Sequence, residues 1–143
     1  MVKFLIGCGA DVNLQDEHGQ TCLLLSCIHG QNDLAKVLIE SSLAGDTPEP
    51  IDVDCKDHRG LTPLNCAAIK GDLELMKILI EKGKANIEEQ SPKGCSALMY
   101  ASRGGNQDMV KYLLEKGVNS LKQDNSGGTA AHHAIEKGHQ DII

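Results

Sequence analysis

Apolar positions along the 143-residue chain come in short clusters at helical spacing, parted by glycines and polar turns. Leu34/Ala35 return one turn later as Leu38/Ile39, Leu75/Met76 as Leu79/Ile80, and Met109/Val110 as Leu113/Leu114. Pairs at this spacing form the buried stripe of an amphipathic helix. A shorter helical stretch precedes each one. It carries small residues on one face: Ser26 and Cys27, Ala67 and Ala68, Ala101 and Ser102. Small side chains let adjacent helices approach closely. Thr21, Thr62, Ser96 and Thr129 open these stretches, where a hydroxyl can accept a first-turn N–H. Pro63 follows its Thr at the first helical position, where a missing N–H does no harm. Gly30, Gly71, Gly105 and Gly138 close them, as a left-handed C-cap requires.

The pattern repeats. "DEHGQTCLLLSCIHG", "DHRGLTPLNCAAIKG", "SPKGCSALMYASRGG" and "DNSGGTAAHHAIEKG" align, and their turn glycines Gly19, Gly60, Gly94 and Gly127 stand 41, 34 and 33 residues apart. A period near 33 with a fixed internal pattern is the mark of a repeat array. With "GLTPLNCAA" and "GADVN" it resembles the ankyrin repeat over essentially the whole chain. The resemblance implies an all-α solenoid of stacked helix-turn-helix units with short hairpin fingers. Residues 1–143 then form one domain: a partial repeat at 1–15, full repeats at 16–56, 57–90 and 91–123, and a partial repeat at 124–143.

There are departures from the family pattern. Its His, three residues after the capping Thr, is replaced by Leu24, Asn65 and Met99 and kept only as His132. The associated hydrogen bonds are therefore not expected in the first three units. The first full unit carries eight extra residues between Glu40 and Ile51, in "SSLAGDTPEP", whose Ser, Gly, Asp and Pro content favours a loop. That loop reads as a tolerated surface insertion, or as a partner contact with Thr47-Pro48 as a phosphorylation site. The second unit has one extra residue in "EKGKANIEE", and the third hairpin ends "GVNSLKQD". Met1 to Ile6 align with Met109 to Leu114, and Ile143 falls just inside another second helix. The expectation is a piece of a longer array whose end units fray.

Composition narrows the picture further. One Phe, two Tyr and no Trp require an aliphatic core. A net charge of −6 argues against general nucleic-acid binding, which rests on Lys and Arg. No apolar run approaches the roughly 20 residues that span a bilayer, and no signal peptide is read at the start. Cys8, Cys22, Cys27, Cys55, Cys66 and Cys95 are irregularly spaced and read as reduced, small hydrophobes of an intracellular protein, cytoplasmic or nuclear. Cys95 aligns with Gln20, Leu61 and Gly128 in a hairpin, and is expected to be exposed and inert.

No catalytic constellation is read, so the chain is expected not to be an enzyme. Glu88/Glu89 read as a solvated hairpin pair. No metal or other cofactor is expected. Cys22 and Cys27 point to different faces of one helix, and neither they with His29 nor His132, His133 and His139 have the tight paired spacing of structural zinc.

What remains is binding. The resemblance implies a scaffold, adaptor or inhibitor that holds another protein on a concave surface of fingers and first helices. Carried over by alignment, the central units offer His58, Arg59, Leu61, Ile69 and Lys70, then Lys93, Cys95 and Arg103. The set is basic within an acidic chain, which points to an acidic or phosphorylated partner segment. The rival reading is a regulatory or targeting segment of a larger enzyme, channel or ubiquitin-ligase substrate receptor. "HGQTCLLLSCIHG" is similar to a repeat of the Fem-1 family of such receptors. The ankyrin resemblance also makes Asn13 a candidate for asparaginyl hydroxylation, with Leu5 eight residues earlier; Asp54, Glu88 and Leu121 at the matching positions cannot serve.

Overall fold

A computed structural model describes residues 13–45 and 50–138. The expectations for Met1–Ile6, Leu5, Cys8, Thr47 and 139–143 lie outside them. Among the described residues, seven α-helices follow one another: α1 (Cys22–Ile28), α2 (Asn32–Leu43), α3 (Pro63–Lys70), α4 (Leu73–Lys77), α5 (Ala97–Arg103), α6 (Gln107–Glu115) and α7 (Ala130–Glu136). Among the described residues there is no strand. The short first helices α1, α3, α5 and α7 stack side by side in chain order, each against the next. The second helices α2, α4 and α6 pack behind α1, α3 and α5.

The first helices start at the hydroxyl residues the sequence points to, although the Ser96 side chain accepts no first-turn N–H. Thr21 and Thr62 accept the N–H groups of Leu24 and Asn65. Gly30, Gly71, Gly105 and Gly138 all take positive φ. The second unit regains the bond expected to be missing, because Asn65 Oδ1 accepts the Thr62 N–H at 3.2 Å. Its amide carbonyl stands in for a His ring nitrogen, a role His132 Nδ1 keeps toward Thr129 N–H at 3.0 Å. The core is aliphatic, with Leu23, Leu24, Leu64, Leu75, Met76, Leu79, Met99, Met109 and Leu113 fully buried.

Two irregularities of length are absorbed differently. Ser41, Ser42 and Leu43 extend α2 rather than entering a loop, which corrects the reading of "SSLAGDTPEP" at its start. The helix continues because Ser41 is buried and Ser42 Oγ accepts the Ile51 N–H at 2.8 Å, tying the returning chain to it. The extra residue of the second unit is taken up by a π-turn, Ile78–Lys82, directly after α4. Gly83 N–H bonds Ile78 carbonyl at 3.1 Å, and Lys84 takes φ 56° to leave the helix. The wider turn keeps Leu79 buried while the hairpin re-enters register.

Neighbouring fingers are tied at three levels. At the base, Asn13 Oδ1, Asp54 Oδ1 and Glu88 Oε1 accept the backbone N–H of Asp52, Asn86 and Asn119 in the next unit. Glu88 is thus a rung of the array rather than a solvated hairpin residue. Midway, Gln15 and Gln90 each bridge their own turn to the next unit, donating to the carbonyls of Lys56 and Gln123. At the tip, His58 N–H reaches His18 carbonyl and Asn125 N–H reaches Lys93 carbonyl, both at 3.0 Å. Pro92 occupies the equivalent place at the middle joint and has no N–H to give. There its ring packs against Gly60, where an added Cβ would lie 2.4 Å from Pro92 Cγ.

Candidate functional site

Each finger tip is held by its first residue. Asp16, Asp57 and Asp124 turn one carboxylate oxygen onto two backbone N–H groups of their own turn, as far as Gln20, Leu61 and Gly128. Ser91 makes the single equivalent bond to Cys95 N–H. Burial alone would raise the Asp57 carboxyl. The Arg59 guanidinium and the Leu61 and Arg59 N–H groups outweigh it and hold the group below its ordinary 3.8.

This rigid frame sorts the expected binding residues into two hollows. The first, about 190 Å³, lies between the first and second units and is lined by Ile28, Arg59, Leu61, Cys66, Ile69 and Lys70. Ile69 is 52% exposed there, and Leu61 is half-buried. Lys70 Nζ donates to the Ile28 carbonyl, bridging α3 to α1. Arg59 is exposed but committed: its Nε and NH2 groups donate to Asp57 Oδ2 at 2.9 and 2.7 Å. Its charge is locally neutralised, which weakens the sequence expectation that it meets an acidic partner.

The second hollow, about 590 Å³, lies at the third and fourth units and takes in Lys93, Cys95 and Arg103. It also holds Asp124, His133 and Glu136, so this end of the face is mixed in charge rather than basic. Lys93 and Arg103 are exposed, as expected. Cys95 is not: it is 6% exposed, which overturns the expectation of a surface thiol. Its side chain turns in under the fourth finger, and burial raises its pKa. His58 is exposed at its finger tip and lines neither hollow. Asn13 donates to the Pro50 carbonyl at 2.9 Å besides accepting from Asp52, so both ends of its amide are engaged in the hairpin.

Sequence reasoning did not place Cys66 on this face, and it weighed His133 only beside His132 and His139 as a zinc set. Both stand four residues after the capping Thr, as Leu25 and Tyr100 do in the other units. One turn into a first helix points that position at the finger side, and this periodicity could have found them. Cys27, Cys55 and Cys66 are buried, with thiols pushed up to about 12, 11 and 11 by burial, so only Cys22 among the described cysteines is exposed.

A family model described as ankyrin repeats in three copies matches residues 1–90 and again residues 83–143. The chain belongs to the ankyrin-repeat family. Ankyrin repeats are commonly protein–protein interaction modules. No described helix is long and apolar enough to cross a membrane.

Proposed function

We propose that this ankyrin array is a non-catalytic module that holds an extended, acidic or phosphorylated segment of another protein along its fingers and first helices. The observation that carries the reading is the first hollow. Exposed Ile69, with Leu61 and Ile28, offers an apolar seat, and Lys70 and Arg59 stand at its rim. An apolar anchor with charges beside it is how a small number of side chains supply most of an interface's binding energy. Lys93, which has no ion-pair partner among the described residues, adds a cation one finger further on, at the edge of the mixed-charge hollow. In a chain of net charge −6, exposed Lys70 and Lys93 are the cations on this side that would steer an acidic segment.

The test is affinity purification of the wild-type chain against a Lys70→Glu/Lys93→Glu double variant, with partners identified by mass spectrometry. These two lysines replace Arg59 as the sites to reverse, because Arg59→Glu would set two carboxylates together at Asp57. The reading expects partners lost from the double variant and weakened by high salt, with helical circular dichroism unchanged. Partners retained equally by both proteins would place the contact elsewhere.

A further inference from the structure

Three metal-donor side chains from separate elements meet where the third and fourth units join. Cys95 lies at the foot of the third finger, Asp124 opens the fourth, and His133 sits one turn into α7. One donor atom from each lies within 4.8 Å of the others. Cys95 and His133 are buried, at 6% and 7% exposure. Asp124 Oδ1 is taken by the N–H groups of Ser126 and Gly128, which leaves Oδ2 for His133 Nε2 at 2.9 Å. The other ring nitrogen, His133 Nδ1, is buried with no hydrogen-bond partner among the described residues.

The array does not need this set. The same three positions hold Gln20, Asp57 and Cys66 at the first joint, and Leu61, Ser91 and Tyr100 at the second. Both of those joints stack without a cysteine, carboxylate and imidazole together. The combination belongs to the third joint alone among the described ones.

We propose that Cys95, Asp124 and His133 form a zinc-class divalent metal site that staples the third ankyrin unit to the fourth. A thiolate with an imidazole selects zinc over magnesium or calcium, which favour all-oxygen sets. Thiolate and carboxylate together carry two negative charges, so the ion brings the site to neutrality instead of adding net charge beside Lys93 and Arg103. Tetrahedral zinc, with bonds of about 2.3 Å to sulfur and about 2.0–2.2 Å to nitrogen and oxygen, spaces its donors about 3.3–3.6 Å apart. Binding draws the donors in to that spacing from their present mutual distances, all within 4.8 Å. The Cys95 thiol gives up its proton to solvent as the zinc–sulfur bond forms. Ligation through Nε2 replaces its hydrogen bond to Asp124 Oδ2 and places the ring proton on Nδ1. The fourth position opens into the 590 Å³ hollow, where water completes the set.

The experiment titrates the reduced full chain with Zn²⁺ alone by calorimetry, and with Co²⁺ to read the thiolate charge-transfer band. One ion per chain is expected. Cys95→Ser and His133→Gln should each weaken binding by at least the roughly 10–100-fold that loss of an outer-shell partner causes. Cys22→Ser should leave it unchanged. In the unsubstituted chain, Zn²⁺ should slow alkylation of Cys95 and not of Cys22, a readout that does not depend on any variant folding. The proposal is overturned by lack of saturable binding, by unchanged affinity in Cys95→Ser and His133→Gln, or by equal protection of Cys22. None of these outcomes bears on the protein-binding reading.

Discussion

Substituting Gly60 by Ala tests the finger stacking that shapes the binding face. Gly60 sits at φ 78°, and the new Cβ would lie 2.4 and 2.7 Å from Pro92 Cγ and Cδ. Left-handed backbone costs an alanine about 1–2 kcal/mol, of which about 0.4–1 kcal/mol is recovered by a stiffer unfolded chain. Non-bonded carbons prefer about 3.5–4.0 Å, so the Pro92 ring must move by more than about 1 Å. Overpacking of that kind adds about 1–3 kcal/mol. The total is about 1–5 kcal/mol, centred near about 3 kcal/mol. Gly127 has the same turn position and φ 83° with nothing within 4 Å of an added Cβ, and Gly30 meets only Lys70 Nζ at 3.5 Å. Ala at either should cost only about 1 kcal/mol. Urea unfolding followed by circular dichroism reads the difference. Adding Pro92→Ala to Gly60→Ala removes the ring and supplies an N–H for the Arg59 carbonyl, so most of the excess should return, measured as a double-mutant cycle. Equal losses at Gly60, Gly30 and Gly127, or no rescue by Pro92→Ala, would refute the stacked-finger reasoning.

Three further outcomes are expected. Thr62→Ala removes the cap of α3 and leaves the Asn65 N–H without its acceptor, which should cost about 0.5–2 kcal/mol in the same urea assay. The Asp57 carboxyl is held below its ordinary 3.8, so its contribution is fully present above that pH and is lost as pH falls through the lower folded value. Urea midpoints should therefore drop in that acid window, and drop less in Asp57→Asn. Asn13, in cells co-expressing the asparaginyl hydroxylase, should gain one oxygen by peptide mass spectrometry while the peptides carrying Asp54, Glu88 and Leu121 do not; an unmodified Asn13 beside a modified control would end that idea.

The fold was readable because its determinants are local. Thr62, Pro63 and Gly71 each announce a helix end through their own backbone preferences, and Leu75, Met76 and Leu79 declare a buried stripe by spacing alone. What resisted reading depends on neighbours in the next unit. Cys95 looked exposed because its aligned positions are turn residues, yet it is the adjoining fourth finger that covers it. Arg59 looked available because its pairing with Asp57, two residues away, is a matter of side-chain direction rather than pattern. The outer members of the Cys95–Asp124–His133 grouping lie 38 positions apart in two units, so no spacing rule within one unit reveals it. The π-turn at Ile78–Lys82 was visible only as a one-residue excess, whose place in the chain the packing of Leu79 decides.

The central claim is that another protein is held on the finger and first-helix side. A photo-crosslinking residue placed at Ile69, in the first hollow, compares directly with one at Lys111, exposed on the second helix α6. Irradiation of cells expressing each chain, followed by mass spectrometry, should give discrete protein adducts from position 69 and only background from position 111. Adducts from position 111 with none from position 69 would contradict the account.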